Sequence, residues 1–323
     1  MPMTKRLITK IIITFIIFFL YLFTRIELKS LEWIKYEHNP VLGNDKTGTI
    51  FDPFVIKHNN IYQMYISWRP IGAIALSTSI DGINWSEPKI VLEKGNEQSW
   101  ESIVNRACII IYNKKFYLWY TGQHNGKSKI GIAISENGNE FIKYKNNPIL
   151  VPEKDFEKDS IMNPYVIYDE NEKIFKMWYS AGEVIEPDVI CYATSKNGIN
   201  WIKYQKNPIF TPNPNKLSFD SFKVGGCEVH KISKNKYLMF YIGYSDINTA
   251  RIFVAKSNNG INKWERSDSP IIKPTKEQFD SDACYKPSVL YDKKKKIWMI
   301  WYNGRTKNVE FIGYAYNKNF HLF

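Results

Sequence analysis

The sequence predicts an all-β fold, a five-bladed β-propeller behind an N-terminal hydrophobic anchor helix. Three observations predict it. A pair of strand-like runs recurs five times, most clearly as Asn163-Pro164-Tyr165-Val166-Ile167 followed by Phe175-Lys176-Met177-Trp178-Tyr179-Ser180. Turns rich in Ser, Asn, Asp and Gly follow the first four pairs and end in an aromatic (Trp85, Phe141, Trp201, Trp264), about 60 residues apart, the spacing of a repeat architecture. No helical period appears beyond the N-terminus, and no linker is long enough to divide the chain.

Residues 1–29 read as a signal anchor. Lys5, Arg6 and Lys10 precede an apolar run from Ile11 to Phe23, and no small-x-small cleavage site follows. Basic residues ahead of an apolar run place the N-terminus in the cytoplasm and the body outside it. Residues 30–323 are the propeller. Its first words, Trp33-Ile34-Lys35-Tyr36 and Asn39-Pro40-Val41-Leu42, recur as Phe141 to Leu150 and Trp201 to Phe210, where they end a repeat. The last repeat lacks such a copy. The N-terminal strand is therefore expected to complete the last blade, which closes the ring and removes two free sheet edges.

Each repeat reads as four strands. The first begins at Asp52, Arg106, Asn163, Glu228 or Lys286; the second carries the Met-Trp-Tyr words; the fourth carries the Trp-Ile-Lys-Tyr words. Asp81-Gly82, Asn137-Gly138, Asn197-Gly198 and Asn259-Gly260 supply the positive-φ steps that tight turns need. A Trp/Phe-Glu/Asp word precedes blades two to five, at Glu101, Glu157, Asp220 and Asp280. A carboxylate at one place in four blades reads as structural, for example as a turn cap.

The chain has 323 residues, of which 44% are hydrophobic and 15% aromatic, enough for one large core. Its net charge of +12 is spread over hairpin tips rather than gathered in a stripe, and no nucleic-acid motif accompanies it, so no nucleic-acid partner is expected. Cys108, Cys191, Cys227 and Cys284 form no CxxC pair, which argues against zinc, and each reads as a small buried hydrophobe.

In a propeller the heads of the first strands gather at one mouth of the channel. Here they read Asp52, Arg106, Asn163, Glu228 and Lys286, five polar residues opening apolar strands. Asp52 and Glu228 are the carboxylate pair that cleavage of a glycosidic bond requires: one acid protonates the leaving oxygen, and the other carboxylate activates water or attacks the sugar. Arg106 and Lys286 would hold Asp52 ionised and bind substrate groups. Asp159, Asp282 and the loop residues Trp68, Arg69, Gln123, His124, Tyr244 and Arg305 are further candidates to contact substrate.

These residues carry a resemblance. Phe51-Asp52-Pro53 opening blade one, a Glu opening blade four, Trp-Tyr-Ser/Thr-Gly strands and Ser-x-Asp/Asn-Gly-x-Asn-Trp turns resemble the five-bladed propeller glycosidases of glycoside hydrolase families 32, 43, 68 and 130. The resemblance covers roughly residues 31–320. It implies an oligo- or polysaccharide substrate, Asp52 as base or nucleophile and Glu228 as general acid. Families 43 and 32 usually carry a third carboxylate on a middle blade, where this chain has Asn163, and that departure leaves room for a family 130-like arrangement. The rival readings are a phosphorylase or glycosyltransferase on the same fold, and a glycan-binding propeller without catalysis. No cofactor is expected; calcium in the channel, as in some relatives, finds no DxDxDG-type loop to support it. The anchor implies a membrane partner and a propeller outside the cytoplasm.

Overall fold

The computed structural model describes residues 13–15 and 33–320. Residues 13–15 are helical; the rest of the expected anchor lies outside the described residues. Among the described residues no helix is long and apolar enough to cross a membrane.

The chain opens with the short strand β1 (Ile34–Lys35). Four antiparallel meanders follow, each a blade. The first is β2 (Ile50–His58), β3 (Ile61–Trp68), β4 (Ala73–Ser79) and β5 (Lys89–Leu92). The second is β6 (Ile103–Tyr112), β7 (Lys115–His124), β8 (Lys127–Ser135) and β9 (Ile142–Lys143). The third is β10 (Ser160–Asp169), β11 (Ile174–Gly182), β12 (Pro187–Ser195) and β13 (Trp201–Lys203). The fourth is β14 (Lys223–Ser233), β15 (Lys236–Asp246), β16 (Thr249–Ser257) and β17 (Glu265–Arg266). The last blade has β18 (Ala283–Asp292), β19 (Ile297–Thr306) and β20 (Val309–Asn317), and its fourth strand is β1. A single parallel pairing of Ser128 with Ser160 links blades two and three. The inner strands β2, β6, β10, β14 and β18 lie against one another in turn, with β18 back against β2.

The expected closure holds. Ile34 pairs with Tyr316 and Lys35 with Ala315. Asn39 exchanges two hydrogen bonds with the backbone of Tyr314, at 2.9 and 2.8 Å. Asn147 does the same to Ile132, and Asn207 to Tyr192, so the recurring Asn-Pro words extend the edge of each third strand.

The repeated carboxylates are structural. Each accepts a hydrogen bond from a second-strand tyrosine and pairs with a fourth-strand cation: Glu101 with Tyr120 and Lys143, Glu157 with Tyr179 and Lys203, Asp220 with Tyr241 and Arg266, Asp280 with Tyr302 and Lys35. They cross-brace blades two to five, and two of them also cap a turn as expected: Glu157 accepts the N–H groups of Glu153 and Lys154, and Asp280 that of Thr275. Lys35 serves blade five as Lys143 serves blade two.

The blades are joined by apolar packing and by a second recurring contact. The indole N–H groups of Trp119, Trp178 and Trp301 donate to the carbonyls of Gly198, Gly260 and Gly82 in the turn of the next blade, and the Tyr65 hydroxyl donates to Gly138. A buried indole N–H needs such a partner. Blade four has Phe240 at this place and faces no turn glycine; it packs on Trp33 and Phe320 instead. The four cysteines are buried and free.

Candidate active site

Inner strands begin, and second strands end, at one face of the ring, as the pairings Ile50–Trp68, Ile103–Gln123, Ser160–Gly182, Lys223–Tyr244 and Ala283–Arg305 show. Near its head every inner strand is bulged, two of its residues standing against one of the second strand. The bulged residue has positive φ in all five blades: Asp52, Arg106, Asn163, Gly226 and Lys286. Left-handed backbone is costly for residues other than glycine and needs a compensating contact. The preceding blade supplies it. The N–H of Arg106 donates to Ser67 Oγ (2.8 Å), that of Asn163 to Thr121 Oγ1 (3.1 Å), that of Gly226 to Ser180 Oγ (2.8 Å) and that of Asp52 to Asn303 Oδ1 (3.4 Å). The Ser/Thr closing the Trp-Tyr-Ser words thus fixes the bulge of the next blade. Ile242 stands at that place in blade four.

The bulged side chains meet. Arg106 Nε lies 3.3 Å from Asp52 Oδ2, an ion pair short of hydrogen-bond alignment. The Asn163 amide lies over Gly226. Lys286 Nζ donates to the Cys227 carbonyl at 3.5 Å. Asp52, Asn163 and Lys286 are buried. Burial raises the Asp52 carboxyl above the usual aspartate range against the opposing pull of Arg106, Lys286 and Arg69.

Two further acids share this compartment. Glu186 lies in the loop between β11 and β12 and accepts a hydrogen bond from the Tyr244 hydroxyl (2.5 Å). Burial, aided by the negative field of Asp52 and Glu310, pushes its carboxyl up to about 7 against Tyr244 and Arg106. Glu310, opposite Arg305 on β20, pairs with Arg69 (2.7 Å) and accepts from Asn303 Nδ2 (2.6 Å); burial raises it too. Asp52 Oδ2, Asn163 Oδ1, Tyr285 Oη and Arg305 Nε are buried without a hydrogen-bond partner among the described residues. Unpaired buried polar atoms gathered in one place mark a surface made for a polar ligand. The arrangement gathers three carboxyls, each raised by burial, amid fixed cations.

The Glycosyl hydrolases family 32 N-terminal domain matches residues 75–209, a span that holds Arg106, Asn163 and Glu186. The chain is 26% identical over 263 residues (75% of this chain, 83% of the other) to an uncharacterized protein of Mycobacterium tuberculosis (strain CDC 1551 / Oshkosh). It is 29% identical over 205 residues (60% and 62%) to the 1,2-beta-oligomannan phosphorylase of Thermoanaerobacter sp. (strain X514). Among solved structures, a glycosyl hydrolase from Bacteroides ovatus superposes with TM-score 0.69 at 16% identity, covering 87% of this chain and 92% of that one. A thermostable family-43 glycoside hydrolase superposes with TM-score 0.66 at 20% identity, covering 86% and 90%. The fold is that of the propeller glycosidases.

Within this glycosidase-like propeller, one expected head residue is displaced. Glu228 does not open the fourth inner strand at the place of Asp52; Gly226 does, and Glu228 follows two residues later, level with Phe54, Cys108, Tyr165 and Ser288. That row ties blade to blade. Glu228 Oε2 accepts the Val289 N–H (3.1 Å), as Ser288 Oγ accepts that of Val55 and Cys108 Sγ that of Val166. Its other oxygen meets His230 Nε2 at 3.1 Å. The Gly-Gly-Cys run shifted the sequence alignment by two residues.

The other candidate contacts have these surroundings. Asp159, one residue before the head of β10, is exposed and pairs with Lys127. His124 meets Ser102 Oγ through Nδ1 (3.0 Å). Asp282 accepts the Lys307 N–H (2.6 Å) at the rim. Arg69 and Arg305 do reach the mouth, Arg69 through Glu310 and Arg305 beside Tyr285. Sequence reasoning missed Glu186 and Glu310, since neither lies in a repeated word. The loop that carries Glu186, Glu183-Val184-Ile185-Glu186, has four residues, as does the Arg69-Pro70-Ile71-Gly72 loop of blade one, so loop length alone does not single it out.

Proposed function

We propose that this chain cleaves glycosidic bonds of an oligo- or polysaccharide at the channel mouth, with Asp52 and Glu186 as its working carboxylates. The observation that carries the reading is the pair's unequal environment: Asp52 ringed by Arg106, Lys286 and Arg69, Glu186 poised near 7. A carboxylic acid poised there still holds a proton at neutral pH and donates it to a leaving oxygen. Asp52, more basic than an ordinary aspartate once ionised, activates water or the sugar centre. Asn163, Arg106 and Lys286 bind substrate hydroxyls or charged groups. The test is turnover of neutral and acidic oligosaccharides by the purified chain. Asp52→Asn and Glu186→Gln should each lower kcat by about 10²–10⁴-fold. The alkaline limb of kcat/KM should fall near pH 7 and vanish in Glu186→Gln. Undiminished turnover in Asp52→Asn sinks the reading.

A second reading is phosphorolysis. Arg106 and Lys286 beside Asp52 suit an inorganic phosphate nucleophile, and the Thermoanaerobacter relative is named a phosphorylase. It requires that turnover depend on added phosphate. We also propose that the basic and apolar N-terminal run anchors the chain with its propeller outside the cytoplasm. Digestion of the propeller by protease added to intact cells checks this; full protection there, lost on lysis, overturns it.

A further inference from the structure

A cleft of about 520 Å³ opens on the same face between blades four and five. Arg251, Arg305 and Lys307 line it, with Asn248, Asn308 and Asp282. None of the three cations has a carboxylate within ion-pair distance among the described residues, although most other buried or half-buried cations here do. The acids nearby are engaged. Asp282 accepts from the Lys307 backbone and Ser281, and Asp246, whose field reaches Arg251, accepts from the Asn248 backbone and Ser245. Both guanidinium groups lie over aromatic rings, Arg251 over Phe219 (4.2 Å to the ring centre) and Arg305 over Tyr285 (5.5 Å). Arg305 Nε is buried and unpartnered. Its charge also acts on Glu310, so this side chain stands between cleft and mouth.

We infer that the cleft is a subsite for an oxyanion carried by the glycan, and hence that the substrate class is acidic, bearing carboxylate or phosphate groups. Planar guanidinium groups with no carboxylate at ion-pair distance match such groups in geometry and sign. Amide side chains beside them suit the neighbouring sugar hydroxyls. Continuity through Arg305 sets the acidic residue next to the sugar at the reacting centre. The inference deepens the glycosidase reading and rests on it for the word substrate, but the cleft's selectivity is a binding property that can be measured alone.

The experiment is calorimetric binding to the full chain at low and high salt. The probes are an oligogalacturonate, a phosphate-bearing oligomannoside and a neutral oligomannoside of equal length. At least one acidic probe should bind roughly tenfold or more tighter than the neutral one, a preference that shrinks with salt. Which acidic probe binds identifies the group. The double variant Arg251→Gln/Lys307→Gln should lose that preference and keep the neutral affinity. Should it fail to fold, Lys307→Glu alone should reduce acidic binding and leave neutral binding unchanged. Equal affinity for all three probes, or a preference untouched in the folded variants, overturns the inference. Acid-selective binding without any glycan turnover leaves the cleft standing and removes the glycosidase reading instead.

Discussion

Gly226, not Glu228, holds in blade four the positive-φ place of Asp52, Arg106, Asn163 and Lys286. Glu228 is instead the acceptor for the buried Val289 N–H. A buried donor left without its acceptor costs about 1–3 kcal/mol. Glu228→Ala should therefore lower stability by about that much, while Glu228→Gln, which keeps an oxygen for Val289, should cost less. Denaturant melts measure both, and neither variant should lose activity as Asp52→Asn does. Glu186 makes a different prediction. Its folded carboxyl titrates at about 7 against an ordinary 4.5, so between those values the folded state holds a proton that the unfolded chain has released. Its contribution is full below pH 4.5 and is lost as pH rises to 7. Glu186→Gln should flatten the fall of Tm with pH across that window; an identical slope in both proteins would remove Glu186 as the cause.

Lys35 shows how much of a blade was legible in its words. Repetition of Trp-Ile-Lys-Tyr showed that a strand before the first blade belongs to the last, because the same residues meet the same neighbours: a cross-bracing carboxylate, a third-strand backbone and an aromatic core. What repetition could not show was the bulge register. Gly226 has no side chain to align with Asp52 or Arg106, and the one acid close by was matched to its place. Glu186 and Glu310 were illegible for the opposite reason, being single-blade features whose place depends on loop length and on a facing blade. The brace itself is testable. Lys35→Met leaves Asp280, which is fully buried, with Tyr302 and the Thr275 N–H but no cation. Breaking a buried pair by removing one partner costs about 3–5 kcal/mol, and Lys35 is partly exposed, so about 1–3 kcal/mol is expected, together with faster hydrogen exchange along β20. A Tm equal to that of the parent would mean that the brace is idle.

At the scale of the molecule the ring is held by contacts that each pass from one blade to the next: an indole to a turn carbonyl, a hydroxyl to a bulged N–H, an inner-strand side chain to the next inner backbone. The join between blades four and five is the weakest in this series. Ile242 offers no hydroxyl to Lys286, Phe240 offers no N–H to a turn, and the turn after β20 has no glycine. What replaces them is the N-terminal strand, whose Trp33 packs on Phe240 and Phe320 while Lys35 reaches Asp280. The rim cleft opens at this same join, where the recurring hydrogen bonds are fewest. Closure and ligand recognition are thus linked through blade five. A chain beginning at residue 43 removes β1, exposes the edge of β20 and strips Trp33 from Phe240. Compared with a chain beginning at residue 30, it should lose cooperative unfolding, bind a hydrophobic dye and aggregate through the unpaired β20 edge. Supplying residues 30–42 as a separate peptide should restore part of the Tm, because the groove it fills is formed by β20 and blade four. A truncated chain that melts like its parent, with no response to the peptide, would show that the ring closes without its N-terminal strand.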